Sequence, residues 1–284
     1  MITALAVLLL GLSVPAYSAD DEDSGFFSYL PAVPKLKLPD IKIPSFWTDD
    51  LKKAKKAYNN GNYDRAIKYF RRSSEDGNMV ADWYLGHIYR RGLGVTRDDA
   101  TAFSYYSRVA DVYDPEEGNQ NKLRIMVDSQ LRVADYYRNG VAGAGVPIDY
   151  DLAAKSYLKI ATTYGHPDAF FGLATMNFKG QGLNKNPKQG LKWLIAAARK
   201  RHAPSEAYLG DLYQTGKFVE QDTTRALMWY ILANESVAAG DFPEITARYN
   251  ELSANASEDQ RLEAQARAKV WDDQYPVRGD ATAE

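Results

Sequence analysis

The fold is decided by residues 83–100, which read WYLGHIYRRGLGVTRDDA. Paired glycines beside arginines are also found in phosphate-binding loops, where the glycines follow a strand and open a helix. Gly92 and Gly94 instead follow an amphipathic helical pattern, and a glycine there ends a helix in the left-handed conformation. Asp98 or Asp99 can then cap the next helix. The stretch therefore predicts a helix–turn–helix unit and not an anion site.

The same unit recurs along the chain. Each copy places Leu or Val, then a small residue, and in most copies an aromatic four positions after the Leu or Val, so that all lie on one helical face. A second helix follows each time, with a small residue and an aromatic three positions later. Since one such pair cannot bury its own apolar stripe, the pairs must stack. The pattern predicts an all-α protein, a right-handed α-solenoid. The copies are YLGHIY (84–89), RVADYY (132–137), GLATMN (172–177) and YLGDLY (208–213).

These residues carry a family resemblance. Residues 81–110, ADWYLGHIYRRGLGVTRDDATAFSYYSRVA, resemble a Sel1-like repeat of the tetratricopeptide-like superfamily. Residues 54–73, AKKAYNNGNYDRAIKYFRRS, are more similar to a tetratricopeptide repeat. The resemblance covers about residues 50–240 and implies a solenoid of stacked helix pairs.

The rest of the chain differs in composition from the repeats. Residues 1–18 are uncharged and end in a pattern typical of signal-peptide cleavage before Ala19. A proline-rich leader follows, which we expect to be extended, either as a tether packed on its own domain or along a partner. The predicted segments are a signal peptide (1–18), a leader (19–48), the repeats (49–241), a helical cap (242–275) and a disordered tail (276–284).

Two amphipathic segments form the predicted cap. The first has Ile245, Tyr249 and Leu252 on one stripe, and the second opens with a capping-box pattern at residues 257–260. We expect the second helix to present one apolar face, formed by Leu262, Ala266 and Val270. A terminal helix with a polar back is what a solenoid needs at its end.

The amino-acid composition argues against several classes of protein and of binding site. The chain of 284 residues has a formal net charge of −2 and no cysteine. That balance argues against a nucleic-acid binder, and the missing cysteine argues against disulfides, thiolate metal sites and a lipid anchor. Together with the predicted signal peptide, this leads us to expect a soluble periplasmic or secreted protein with no direct membrane anchor.

No pattern in the sequence selects a catalytic, cofactor or metal site. His166 and His202 are expected at turns or helix entries, and His87 at a helix surface. Acidic residues are plentiful, so a carboxylate pair stays open, but nothing selects one. We predict a binding protein and not an enzyme.

The first helix of each pair is expected to line the inner, concave face of the solenoid. Side chains there that lie off the packing stripe are candidates for binding a protein partner. The alternative is that Trp83, Phe171 and Phe178 are core residues. The candidates are Trp83, His87, Arg90, Asp135, Arg138, Phe171, Thr175, Phe178, Asp211 and Gln214. A second group of basic side chains is expected on a solvated face of the first pair: Lys52, Lys53, Lys55, Lys56, Arg71 and Arg72.

The whole chain also resembles the ExoR family of periplasmic negative regulators of exopolysaccharide production. The resemblance rests on the leader KLKLPDIKIPSFW (35–47), the order of the repeats and the tail SEDQRLEAQARAKVW (257–271). It implies a protein that binds the periplasmic sensing domain of the ExoS histidine kinase and holds the ExoS–ChvI two-component system off. It also implies removal by a periplasmic protease, for which the leader and the loop at 111–122 are candidate sites.

Two other functions stay open at this point. One is a structural scaffold for envelope polysaccharide export or peptidoglycan assembly. The other is a cell-wall glycan hydrolase, which would need a cleft with paired carboxylates.

Overall fold

The computed structural model describes residues 49–112, 118–237 and 242–276. The predicted signal peptide and leader lie outside these residues, and so does the tail from residue 277. The described residues are helical apart from turns and one isolated β-bridge between Val141 and Val146. The all-α class predicted from the repeats is confirmed.

Twelve α-helices lie within the described residues. The residues form two compact units, one ending at Ala197 and the other running from Ala198 onwards. The helices are α1 (Asp49–Asn59), α2 (Tyr63–Glu75), α3 (Met79–Arg91), α4 (Asp99–Asp111), α5 (Gln120–Asn139), α6 (Tyr150–Tyr164), α7 (Pro167–Lys179), α8 (Pro187–Ala198), α9 (Ala203–Thr215), α10 (Thr223–Ser236), α11 (Pro243–Asn255) and α12 (Glu258–Gln274). Helices α1–α2, α3–α4, α5–α6 and α9–α10 pack as sequential pairs, and α11 and α12 both pack on α10.

The turn inside residues 83–100 has the predicted conformation. Gly92 ends α3 with φ 68° and ψ 40°, in the left-handed region that favours glycine. Asp98 caps α4, and its carboxylate accepts a hydrogen bond of 3.0 Å from the Thr101 N–H. A Cβ on Gly94 would lie 2.6 Å from the Cβ of Tyr63, so the chain here passes against α2. The glycines therefore serve the turn and the packing.

The small residues of the repeat let aromatic rings approach the helix backbone. A Cβ on Gly86 of α3 would lie 2.8 Å from the Tyr106 ring of α4. In the C-terminal unit, Gly210 of α9 has the same relation to the Tyr230 ring of α10, at 2.5 Å. Tyr106 is fully buried. The predicted pattern placed an aromatic three positions after the small residue of the second helix, which is Tyr105 in α4 and Trp229 in α10. The rings that meet Gly86 and Gly210 belong instead to the next residues, Tyr106 and Tyr230, so the close approach is present but the ring is not the predicted one.

The insertion at residues 139–150 has structure of its own. It contains a short 3₁₀ helix, Ala142–Ala144, and the bridge between Val141 and Val146. Gly140 has φ 73° and ψ 159°, unlike Gly92. The insertion leaves Ile148 54% exposed. It is a closed turn and not a simple lengthening of the loop.

The cap helices confirm one predicted stripe and correct the other. Ile245 and Leu252 of α11 are buried, and α12 begins with the predicted capping box. The expected apolar face of α12 is wrong: Leu262 is 58% and Val270 68% exposed, and Ala266 is also exposed.

The buried face of α12 lies on the opposite side of the helix, where Ala264 and Ala268 are buried. Two side-chain contacts near the C-terminal end of α12 hold that face against the neighbouring helices. The Trp271 ring packs edge-on to Trp229 at 4.8 Å between centroids, and Asp272 accepts a 2.6 Å hydrogen bond from Arg201. Alanine at the contact allows close approach, which outweighs the larger apolar side chains on the outer face.

None of the described helices combines the length and the apolar character that crossing a membrane requires.

The close approach at Gly86 is testable. We expect Gly86→Val to lower the free energy of unfolding by about 1–3 kcal/mol, because the added side chain overlaps the Tyr106 ring. Gly118→Val is the matched control, since a Cβ at Gly118 meets nothing within 4 Å. Urea unfolding followed by tryptophan fluorescence measures both. Equal effects of the two substitutions would contradict this close approach.

Candidate partner-binding site

A partly buried carboxylate on α5, that of Asp128, contacts side chains from the first helix of the preceding repeat. Asp128 accepts a hydrogen bond of 2.7 Å from the Trp83 indole N–H. The same carboxylate oxygen lies 3.1 Å from Nε2 of His87. Arg132, one turn further along α5, donates to the other oxygen at 2.9 Å. Two candidates from the sequence, Trp83 and His87, therefore meet at a residue that the sequence did not single out.

Arg132 extends this cluster to the next repeat. Its guanidinium lies 3.2 Å from Asp135 and 3.5 Å from Asp168 of α7. Arg90 of α3 lies 3.6 Å from Asp135, and the Tyr157 hydroxyl of α6 donates to Asp135 at 2.6 Å. The Asp128–Arg132 network thus joins three successive first helices, α3, α5 and α7. It consists of Trp83, His87, Arg90, Asp128, Arg132, Asp135 and Asp168.

The network has a buried end and an exposed rim. Trp83 and His87 are 2% and 4% exposed, whereas the carboxylate side chains of Asp135 and Asp168 are 31% and 38% exposed. The expectation that His87 lies at the helix surface is wrong. Asp128 approaches from the following repeat and covers it. For Trp83, the alternative of a core position is the one that the structure supports.

Burial and ion pairing together set the charge of this network. Burial alone would raise the pKa of Asp128, but Arg132, His87 and Trp83 hold it well below its usual value. Burial lowers the pKa of His87 from 6.5 to about 4, although Asp128 partly opposes that shift. His87 is therefore neutral near pH 7, and its Nε2–H donates to the ionised Asp128.

The other candidates of this unit do not join the network. Arg138 is buried and donates to the Gln181 side-chain oxygen at 3.2 and 3.3 Å. The Thr175 hydroxyl donates to carbonyls of its own helix. Phe178 is buried against Gly190 of α8, and Phe171 is half-buried. Of these candidates Thr175 and Phe178 are core residues of the helix stack.

The C-terminal unit has a separate groove beside Asp211. Its carboxylate accepts a 2.7 Å hydrogen bond from the Tyr230 hydroxyl. Burial raises the pKa of Asp211, while Tyr230 and Arg248 partly offset the rise. Phe242 and Arg248 line the groove with them. Gln214, one turn further along α9, is half-buried.

Two histidines have the predicted helix-entry positions. His166 is the N-cap residue of α7, where its ring nitrogen accepts from the Asp168 N–H at 3.3 Å. His202 precedes α9 and lies 2.7 Å from the Ser205 hydroxyl. Within the described ranges, no group of three or more His, Asp or Glu side chains could hold a metal ion.

Sequence reasoning missed the two residues at the centre of the network. Asp128 and Arg132 lie one helical turn apart, a spacing typical of an ordinary ion pair on a helix surface. The one sequence signal that could have identified this pair was an acidic and a basic residue four positions apart in the first helix of a repeat. It could not reveal that the pair faces Trp83 and His87, because those residues lie more than forty positions earlier.

The repeats match a known protein family. The profile of the Sel1 repeat matches residues 56–78, 80–111, 127–162, 167–202 and 203–236. The chain belongs to the Sel1 repeat family. The network described above lies within the second, third and fourth Sel1 repeats, and Asp211 lies in the fifth.

Curated relatives of this Sel1 repeat protein have a common name. Over 172 residues it is 37% identical to an exopolysaccharide production negative regulator of Rhizobium leguminosarum bv. viciae, covering 61% of this chain and 62% of that protein. Over 205 residues it is 31% identical to an exopolysaccharide production negative regulator of Rhizobium meliloti, covering 72% and 74%. The match thus spans less than two thirds of the first relative's length.

A solved structure supports the fold. The Sel1 repeat protein from Oxalobacter formigenes has a TM-score of 0.53 and 21% identity, covering 78% of this chain and 88% of that one. At this identity the likeness concerns the fold alone. The solenoid of stacked helix pairs predicted from the sequence is thereby confirmed.

Removing the central carboxylate should unfold the repeats around it. We expect Asp128→Ala to cost about 1–3 kcal/mol, because it leaves the Trp83 indole N–H and the buried His87 without their acceptor and removes one of the three carboxylates around Arg132. Asp151→Ala, on the exposed side of α6, should change stability by less than about 0.5 kcal/mol. Urea denaturation curves at pH 7 compare the two. A loss below about 1 kcal/mol for Asp128→Ala would show that the network is not a stability determinant.

The pH dependence of stability should differ in sign for two buried groups. The pKa of His87 is lowered to about 4 in the folded protein. Its stabilising contribution to the free energy of unfolding is therefore present above pH 6.5 and is lost as the pH falls towards 4. Burial raises the pKa of Glu206, on α9, from 4.5 to about 7, so its contribution is present below 4.5 and lost as the pH rises towards 7. Each effect amounts to about 3 kcal/mol over its window.

Two substitutions separate these effects. Between pH 4.5 and 6.5, His87→Gln should remove a rise of the unfolding free energy with pH, and Glu206→Gln should remove a fall. Urea midpoints measured every half pH unit give both slopes. The assignment is contradicted if both substitutions change the slope in the same direction, or if neither changes it.

Proposed function

We propose that this chain is a periplasmic protein-binding regulator that represses a two-component sensor kinase of the ExoS–ChvI type, and thereby exopolysaccharide production. The observation that carries the proposal is the similarity to two proteins named exopolysaccharide production negative regulator, at 37% and 31% identity. The matched segments cover 61% and 72% of this chain, so they extend over most of its repeats.

The Asp128–Arg132 network supplies a surface suited to this role. Its buried end fixes the side chains, so that little conformational entropy is lost when a partner docks. Its rim offers both signs of charge: the carboxylates of Asp135 and Asp168, and the guanidinium of Arg90, which is 16% exposed. Tyrosine, tryptophan and arginine are the side chains that dominate protein interfaces. Such a rim suits polar recognition of a folded domain.

Repression follows from selective binding. If the regulator binds the sensing domain only in the kinase-off conformation, it shifts the population towards that state by its difference in affinity. A tenfold preference corresponds to about 1.4 kcal/mol. Proteolysis of the regulator by a periplasmic protease would remove this bias and release signalling. No catalytic group is required of the regulator itself.

A charge reversal at the rim tests the binding surface. We expect Asp168→Lys to weaken binding to the purified periplasmic domain of the kinase at least tenfold, because the Asp168 side chain is 38% exposed and the substitution places a cation beside Arg132 where the rim had a carboxylate. Asp151→Lys is the matched control, since Asp151 is an exposed carboxylate in the first turn of α6, as Asp168 lies in the first turn of α7. It should change the affinity less than threefold. Equal weakening by both would place the binding surface elsewhere.

The identity of the partner needs a separate experiment. Crosslinking in the periplasm followed by mass spectrometry should recover a histidine kinase, and deletion of the chain should raise kinase-dependent transcription. Recovery of polysaccharide-export or peptidoglycan-assembly proteins, with transcription unchanged, would favour the structural scaffold and reject the regulator.

A further inference from the structure

The outer face of α2 carries cations without counter-charges. Arg65, Lys68 and Arg72 are exposed, and Tyr69 lies among them at half burial. The four residues follow the spacing i, i+3, i+4 and i+7, so they form one stripe. In the part of the chain that the structure describes, no carboxylate lies within 4.0 Å of these three cations. We name Arg65, Lys68, Tyr69 and Arg72 the α2 basic stripe.

The ring of Tyr69 is the centre of this stripe. Three cations lie within 6 Å of its centroid: Arg65 Cζ at 5.7 Å, Arg72 Cζ at 5.9 Å, and Lys53 Nζ of α1 at 5.9 Å. Each such contact stabilises by about 0.5–1 kcal/mol at an exposed site. Like charges three or four residues apart cost about 0.2–0.5 kcal/mol per pair. Lys53 also lies 3.6 Å from Asp49 and 3.9 Å from Asp50, so the charges without a carboxylate partner are those of the stripe itself, and a bound anion would reduce the repulsion among them.

The longest uninterrupted run of acidic residues in the sequence carries the complementary charge. Residues 20–23 read Asp-Asp-Glu-Asp, four consecutive carboxylates that precede α1. We propose that the α2 basic stripe is the docking site for this acidic segment of the same chain. The proposal is independent of the regulatory function proposed above.

The dimensions of the two segments agree. Four residues of extended chain span about 10 Å at 3.3 Å per residue. From Arg65 to Arg72 the helix rises about 10.5 Å at 1.5 Å per residue. The chain between residue 23 and the start of α1 at Asp49 reaches about 80 Å when extended, far more than the length of α1. Tethering raises the effective concentration to the millimolar range, so even a weak contact would form.

Other anionic occupants fit this stripe less well. An anionic membrane surface is bound by helices with large apolar side chains beside the cations. The α2 basic stripe offers only Tyr69, which is half-buried and close to three cations. A sugar ring of an acidic polysaccharide would need a free aromatic face, and the cations around Tyr69 occupy that position. A short carboxylate-rich peptide needs only the cations.

Zero-length crosslinking tests the contact directly. In the purified full chain, with residues 20–23 confirmed by intact mass, a carbodiimide should join Lys68 or Lys53 to a carboxylate of residues 20–23. We expect these links at least tenfold more often than links of the same segment to Lys155, an exposed lysine on α6. Raising the salt to 1 M should abolish them, because the screening length falls to about 3 Å.

A charge-swap series supplies the decisive control. Arg65→Glu with Arg72→Glu should remove the links to Lys68 without changing the circular dichroism spectrum. Adding Asp21→Lys and Asp23→Lys to that variant should restore a link, now between the new lysines and the new glutamates. Both results together would establish the contact.

Three outcomes would overturn the proposal. The first is an absence of links to Lys68 and Lys53 although both lysines react with a soluble amine reagent. The second is an equal yield at Lys155. The third is that, in a mixture of isotopically labelled and unlabelled protein, the links join only different molecules, which would assign the occupant to a second copy.

Discussion

The ionised carboxylate of Asp128 is the constraint on which the N-terminal unit depends. It lies on α5, yet its partners Trp83 and His87 lie on α3, and Arg132 connects it to α7 through Asp168. A charge that is partly removed from water is stabilised by hydrogen bonds and opposite charges around it. Those partners supply them, and they thereby fix three successive repeats relative to one another.

The C-terminal unit uses a different residue for the same purpose. Arg201, which has a left-handed backbone with φ 56°, is buried between α9, α10 and α12. Its guanidinium lies 3.1 Å from Glu206 and donates to Ser236 at 3.1 Å and to Asp272 at 2.6 Å. Both units therefore have one buried ion-pair centre that connects helices, although the residue types and positions are unrelated. Repeat proteins are stabilised between neighbours, and such centres provide specific contacts there.

A binding surface made from this network has a consequence for function. Mobile rim charges would lose side-chain entropy on docking, whereas charges held by a buried centre lose less. The rim residues Asp135 and Asp168 both lie close to Arg132. A partner that competes for either carboxylate would also perturb Arg132, and through it Asp128. Recognition and the stability of the repeats are therefore coupled in the proposed regulator.

The sequence by itself determined the helix pairs, the left-handed glycine at Gly92, an aspartate cap at Asp98 or Asp99, and the small residues at which helices approach closely. These are local properties, because helix periodicity and capping depend on residues within one or two turns. Only the tertiary structure decided that His87 is buried, that Asp128 and Arg132 are its partners, and that α12 buries its alanines and exposes Leu262 and Val270. A helix with apolar residues on two sides has no local reason to prefer either. The choice is made by what the neighbouring helices offer: a carboxylate for His87, and Trp229 and Arg201 for α12.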